Sequence, residues 1–453
     1  MPRRPKLVAY TEAGPGVGAG HLGRCLALAA GWRRRGGDAT IVSAALPDLW
    51  SRRLASAEVD WAPMPAIPED GDWYVVDGYQ LAPAEREHVR ALGRLLAIDD
   101  FGESGPLRAD MVLDQNAGAS ISDYDAATVL AGPRYALLRP EIEALPDDRP
   151  VSATVGSVLV GLGGFPGDDL VRFADEVIAE WSPNAEVVVL DGSVDVADRL
   201  RRADLALATA GTFCWELCRA GVPTVLMALN RNQQHLADGV VASGAAWSIG
   251  GAAESNVRTA VNALAALADD PAARARISAA ARRLVDGRGV ARVVTKLRSR
   301  LIHLEPVHAT DASVLYDWAN DAGTRKASFE SSPIEWETHV QWLDRRLRDP
   351  AAAQWIASFD GMTLGLVRFD RGDDRDAEIG VTVASSQRGG GWGPAVIAAG
   401  CDAAADMWSL ERVLARVKDD NVPSLRSFGA ADFDQVGRAE PHGVLLARRY
   451  GNG

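Results

Sequence analysis

The chain alternates short apolar runs with longer amphipathic ones, does so twice, and then changes pattern. In the first stretch, 6–11 (KLVAYT), 38–44 (DATIVSA), 72–79 (DWYVVDGY), 94–100 (RLLAIDD) and 110–116 (DMVLDQN) read as strands. Helical patterns lie between them, at 21–35 and from Pro83 onward. The rhythm restarts at 157–164 (SVLVGLGG) and continues through 185–192, 204–212 and 223–230. Helices are expected at 213–220, 232–243, 257–268 and 271–285. Strands separated by helical patterns specify βαβ units and parallel sheets. The expected fold class is therefore α/β, with two doubly wound lobes and a ligand cleft at the carboxyl ends of their strands.

The third stretch differs. Residues 354–370 (QWIASFDGMTLGLVRFD) read as a hairpin turning at DGMT. Residues 376–384 (DAEIGVTVA) form another strand that runs into SSQRGGGWG and a helix. This is an α+β arrangement. A length of 453 residues accommodates about three domains. The expected boundaries are 1–145, 146–300 and 301–453.

Composition excludes some classes. Hydrophobic residues are 47% and charged residues 24%, ordinary for a globular chain. A net charge of −13 argues against a general nucleic-acid binder. Cys25, Cys214, Cys218 and Cys401 lack metal-site spacing and read as small buried residues, so no metal is expected. No apolar run approaches spanning length, and no h-region follows the basic residues near the start. The expectation is a cytoplasmic protein with no membrane span, and an oligomer is compatible with it.

Among only seven histidines, His21 stands at the start of a helix, directly after the glycine turn GVGAG. Glycines let backbone pass close to a ligand. A helix start offers unpaired N–H groups and a positive dipole end, which suits a diphosphate. A neutral imidazole there can accept a proton, as a general base must.

The run from Gly18 to Ala29, GAGHLGRCLALA, closely resembles the UDP-sugar hydrolases of pseudaminic acid biosynthesis and their spore-coat polysaccharide relatives. The resemblance continues through VVDGY, LAIDD, VLDQN, GPRYALLRPE, VGLGG, AGTFCWELCRAGVPTVL and NRNQQ, in order, over most of residues 5–300. It implies a glycosyltransferase-B-type fold that cuts a sugar C1–oxygen bond and releases UDP. Position by position, it implies that His21 activates water and that Tyr79 and Asn232 are further active-site polar residues. It also implies that Glu216 holds the ribose. Gly18, Gly20, Arg24, Gly163, Gly164, Gly211, Thr212 and Gln233 would serve the nucleotide sugar. Plain alternatives exist: Tyr79 as a strand-end aromatic, Glu216 as a surface residue, Asn232 as a helix cap. The first strand ends Tyr10-Thr11-Glu12, where family members carry an RxD pattern. Water and a sugar acceptor both remain open as the nucleophile, so a glycosyltransferase is the alternative to a hydrolase.

The run from Gln387 to Gly393, QRGGGWG, lies between a strand and a helix and resembles the acetyl-CoA loop of the GNAT N-acetyltransferases. It implies an acyl-CoA site at Arg388, Gly389, Gly391 and Gly393, with Asn421 farther along. The amides of such a loop would cradle a pyrophosphate. Glu378 on the preceding strand is a candidate base. Phe428 falls where the family usually has tyrosine, and Asp432 where it has glycine. The combined expectation is a bifunctional nucleotide-sugar hydrolase and N-acetyltransferase of amino-sugar biosynthesis. A GNAT domain that only binds CoA or sugar is the further alternative.

Overall fold

The computed structural model describes residues 3–12, 20–46, 48–64, 68–78, 83–102, 107–164, 166–182, 184–190, 195–251, 256–372 and 375–450. Two compact units are present. One holds residues 5–33 and 37–290; the other runs from Ala291 onward, together with 3–4 and 34–36.

The larger unit contains two parallel sheets. The first is built from β1 (Lys6–Thr11), β2 (Asp38–Ser43), β3 (Asp60–Pro63), β4 (Trp73–Asp77), β5 (Arg94–Ile98), β6 (Met111–Asp114) and β7 (Val129–Ala131), in the order β3-β2-β1-β4-β5-β6-β7. The second is built from β8 (Ser157–Gly161), β9 (Glu186–Val189), β10 (Leu205–Thr209), β11 (Thr224–Ala228) and β12 (Trp247–Gly251), in the order β12-β11-β10-β8-β9. Every pairing in both is parallel. Helices cover both faces of the second sheet. Leu205, Leu207, Val225 and Met227 enter one core, and Ala206, Ala208 and Leu226 the other. Two-sided burial makes these strands continuous apolar runs, which is why they are legible from sequence.

The strand order reverses direction between β1 and β4 in the first sheet and between β8 and β10 in the second. These are the switch points, where a crevice opens at the carboxyl ends. The two halves of this unit meet closely. A Cβ on Gly239, in the helix Arg231–Ala242, would lie 2.3 Å from the Ala117 carbonyl oxygen. Phe101 meets the His235 ring edge-on, with centroids 5.5 Å apart.

The smaller unit has one sheet: β13 (His303–Pro306), β14 (Ala352–Phe359), β15 (Met362–Arg371), β16 (Asp376–Val383), β17 (Arg412–Lys418), β18 (Asp434–Ala439) and β19 (Gly443–Arg449). Its order is β13-β14-β15-β16-β17-β19-β18. Only β16 and β17 run parallel. The β14–β15 hairpin turns at Asp360 and Gly361, both with positive φ (48° and 73°), matching the DGMT expectation. The helix Gly393–Trp408 covers one face, against Val367 and Phe369. The helices Ala312–Asn320 and Trp336–Arg348 cover the other, around Leu366. No described helix is long and apolar enough to cross a membrane.

Gly239 generates a test in which two effects oppose each other. Alanine in a helix interior is favoured over glycine by up to about 1 kcal/mol. The Ala117 carbonyl is backbone and cannot yield, and overpacking costs roughly 1–3 kcal/mol. Gly239→Ala is therefore expected to destabilise the protein in urea titration. A rise in the midpoint would show that the contact relaxes.

Candidate functional sites

The first site forms at the β1–β4 switch point. His21 and Arg24 lie in the first turns of the helix Gly20–Arg33, and Asp77 ends β4. All three are buried. His21 Nδ1 is 2.6 Å from Asp77 Oδ1. Two lone pairs cannot face each other at that distance, so Nδ1 carries a proton and donates to the carboxylate, which in the neutral ring leaves the lone pair on Nε2. Arg24 grips the same carboxylate, donating from Nε to Oδ2 at 2.7 Å and from one terminal nitrogen to Oδ1 at 2.7 Å. It also donates to Asp100, at 3.0 and 3.2 Å. Burial alone would push the Asp77 carboxyl up. Arg24 and His21 outweigh that and hold it below its ordinary value.

The network extends along the strand ends. Asn116 donates to Asp100 at 2.7 Å and to Asp114 at 2.8 Å. Tyr124 donates to Asp114 at 2.8 Å and lies 3.0 Å from Asp99. Asp114 also accepts from the Phe101 and Asn116 amides. Burial nevertheless pushes its carboxyl up to about 6. None of Asp77, Asp99, Asp100, Asp114, Asn116 and Tyr124 stands out in sequence as a site residue. The available signal is a repeated one: three successive strands end in aspartate or run directly into it, in VVDGY, LAIDD and VLDQN.

Arg24, expected on the nucleotide-sugar side, is buried and donates to two carboxylates, Asp77 and Asp100. Tyr79 and Gly18 lie outside the described residues.

Across the unit, a Cβ on Gly20 would lie 3.0 Å from Thr212 Oγ1. Thr212 precedes the helix Phe213–Ala220, so two helix N-termini converge here. Gly163 has φ 91°, and a Cβ on Gly211 would meet no described atom within 4 Å. Backbone amides at these positions suit an anion. Gly164, next to Gly163, is exposed. Glu216 is held by Arg139, which donates from Nε at 2.9 Å and pairs through a second nitrogen. Asn230, rather than Asn232, caps the next helix by accepting from the Gln233 amide. The Gln233 side chain accepts from the Leu229 amide at 3.0 Å. Asn232 is half-buried in the first turn.

The second site lies in the smaller unit. β16 and β17 pair only at Asp376–Arg412, Ala377–Val413 and Glu378–Leu414, although both strands continue. They part beyond Glu378, which leaves one side of Ile379–Val383 open for an added extended chain. Glu378, at the fork, pairs with Arg416 at 2.8 Å. The glycine loop follows, with positive φ at Gly389 and Gly391. Arg388 reaches Asp321 at 2.6 Å and the Thr324 hydroxyl at 2.9 Å. Arg298 stacks on Trp392, 4.0 Å from the ring centroid, and donates to the Gly390 carbonyl. Burial pushes Arg298 down to about 9. A Cβ on Gly391 would lie 2.6 Å from the Arg35 carbonyl oxygen. Its missing side chain therefore clears protein backbone. Gly393 faces Ser427 Oγ, 3.2 Å from where its Cβ would be. Asn421 caps the helix Val422–Ala430. Phe428 is buried edge-on against Phe433, with centroids 4.9 Å apart, so this position belongs to the core.

Asp114 generates a pH prediction. Its raised value favours the protonated carboxyl, so its contribution is full below about pH 4, the unfolded value, and fades as pH rises through about 6. Asparagine cannot titrate. Asp114→Asn should therefore be more destabilising at pH 4.5 than at pH 7.5, by about 2 kcal/mol. Urea midpoints at the two pH values measure this, and an equal penalty at both would refute it.

SpsG, a spore coat polysaccharide biosynthesis protein of Bacillus subtilis, is 24% identical over 196 residues, 38% of this chain and 58% of that protein. The chain thus spans little more than half the length of this curated relative. Spermidine N-acetyltransferase from Vibrio cholerae, solved with CoA and spermine, is 16% identical, covering 33% of this chain and 94% of that one, with a TM-score of 0.30. An aminoglycoside acetyltransferase solved with coenzyme A is 18% identical, covering 33% and 94%, with a TM-score of 0.30. Residues 301–434 match the acetyltransferase (GNAT) domain family. The C-terminal segment is a GNAT acetyltransferase domain, which supports acetyltransferase function.

Proposed function

We propose that the chain joins two activities on amino sugars. The larger unit hydrolyses a nucleotide-activated sugar, UDP-linked by resemblance, and the GNAT domain acetylates an amine on the same or a neighbouring intermediate. The observation that carries the first activity is the buried His21–Asp77 pair at the switch point. In this reading water attacks the sugar C1, and a new C1–oxygen bond forms as the bond to the diphosphate breaks. His21 Nε2 takes the water proton, and Asp77 stabilises the imidazolium that results. The diphosphate leaves with its charge against the N-termini of Gly20–Arg33 and Phe213–Ala220 and the amides of Gly163, Gly164 and Gly211. Tyr79, Asn232 and Glu216 belong to the sugar and ribose side by resemblance. This division agrees with a glycosyltransferase-B arrangement of the two parallel sheets.

For the second activity, the fork between β16 and β17 and the loop from Arg388 to Gly393 fit an acyl-CoA. The open edge of β16 would hold the pantetheine arm, and the loop amides the pyrophosphate. Bound acetyl-CoA supplies the thioester that the amine attacks. Glu378, at the fork, would take the amine proton, directly or through water, once it releases Arg416.

Two tests follow. His21→Ala should lower nucleotide release roughly 10²–10⁴-fold while nucleotide binding persists. Asp77→Asn should fall within the same range, because it leaves the ring in the wrong tautomer. Wild-type turnover in either variant would remove the assignment. Hydrolysis in ¹⁸O-water should place the label on the free sugar. Label on the phosphate would mean P–O cleavage, and no release without an added acceptor would mean sugar transfer instead.

A further inference from the structure

On the GNAT sheet, Arg368 of β15 pairs in register with Gly380 of β16, and Asp370 pairs with Glu378. Side chains two apart on a strand share a face. Arg368, Asp370, Glu378 and Gly380 therefore line the face opposite the helix Gly393–Trp408, which packs on Val367 and Phe369. A Cβ on Gly380 would lie 2.7 Å from Arg368 Nε. The arginine thus lies across the glycine, two residues beyond Glu378, where β16 and β17 have already parted.

The carboxylates around Arg368 are engaged elsewhere. Asp370 pairs with Arg346 at 2.5 Å, and Glu378 with Arg416 at 2.8 Å. Among the described residues, no carboxylate or carbonyl holds the Arg368 guanidinium. Its one specific contact is the Trp342 ring, 5.7 Å from the guanidinium carbon to the centroid. The side chain is half-buried. Burial holds its pKa below the ordinary arginine value, Arg346 and Arg325 add to that, and the nearby charges of Asp370 and Glu378 offset it only in part. Desolvating a guanidinium without an anion is unfavourable, and a planar fork matches phosphate and carboxylate oxygens in pairs.

We propose that Arg368 receives an anionic group, phosphate or carboxylate, carried by the molecule whose amine the GNAT domain acetylates. The inference rests on the acyl-transfer reading of this domain and narrows its substrate class. Acceptors bearing an anion near the amine are selected, and polycationic amines are disfavoured by the arginine. A sugar phosphate, a nucleotide-linked amino sugar and an amino sugar acid share the required chemistry.

The test is calorimetric, on the full chain with saturating CoA. The probes are glucosamine 1-phosphate, muramic acid and glucosamine, which carry a phosphate, a carboxylate and no anion. The wild type should bind at least one anionic probe tenfold or more tightly than glucosamine, and the better one identifies the group. Arg368→Gln should remove that preference while CoA affinity stays unchanged. Binding of an anionic probe elsewhere in the chain is common to both proteins and cancels. If the Gln variant loses CoA affinity as well, Arg368→Met takes its place in the same comparison. No preference in the wild type, or a preference that survives loss of the guanidinium, would overturn the inference. Acetyl transfer is measured separately, as thiol release. Failure there with every amine sinks the acyl-transfer reading, whereas loss of the anion preference sinks this one.

Discussion

One guanidinium organises the ends of three elements. Arg24, on the first helix, binds Asp77 at the end of β4 and Asp100 just beyond β5. A buried arginine is tolerable only where carboxylates meet it, and buried carboxylates only where a cation does. Each therefore fixes the others. The helix cannot slide along β1 without uncovering Arg24, and β4 cannot shift without uncovering Asp77. The imidazole of His21 inherits its position from this arrangement, because it leans on the same carboxylate.

Arg24 also explains why two similar carboxylates behave oppositely. Asp77 and Asp114 both end strands of the first sheet, and both are fully buried. Asp77 has a cation in contact and is held low. Asp114 has only neutral donors, from Asn116, Phe101 and Tyr124, and Asp100 nearby adds a like charge. Hydrogen bonds alone do not offset its burial. The single positive charge of Arg24 serves Asp77 and Asp100 and does not reach further. The strand-end row is thus graded, with an ionised carboxylate beside the histidine and a protonatable one farther along the sheet.

The parallel core was legible because burial on both faces leaves unbroken apolar runs. β1 spans the expected 6–11, and the helix Phe213–Ala220 matches its expected bounds. β3 was not legible. It is the short, mostly exposed edge strand Asp60–Pro63, and its proline reads as a turn. β12, Trp247–Gly251, was missed for a related reason, since it ends in two glycines. At the site, His21 was legible from its glycine turn. Its partner was not, because Asp77 lies 56 residues away and only the parallel pairing of β1 with β4 brings them together. Sequence shows the residue with unusual local context and hides the one whose importance is purely tertiary.

The glycine loop of the GNAT domain shows the same limit at closer range. The motif marks Gly389, Gly391 and Gly393 alike as residues that let a ligand approach. The structure separates them. At Gly389 a Cβ would meet no described atom, which suits close approach from outside. At Gly391 it would strike the Arg35 backbone, so the fold itself requires glycine there. Arg388 divides in the same way. Its charge is spent on Asp321 and its reach on the Thr324 hydroxyl. It ties the loop to the segment from Asp321 to Thr324. Removing a side chain and presenting an amide are different physical demands, and a motif that records only glycine cannot tell which one a position answers.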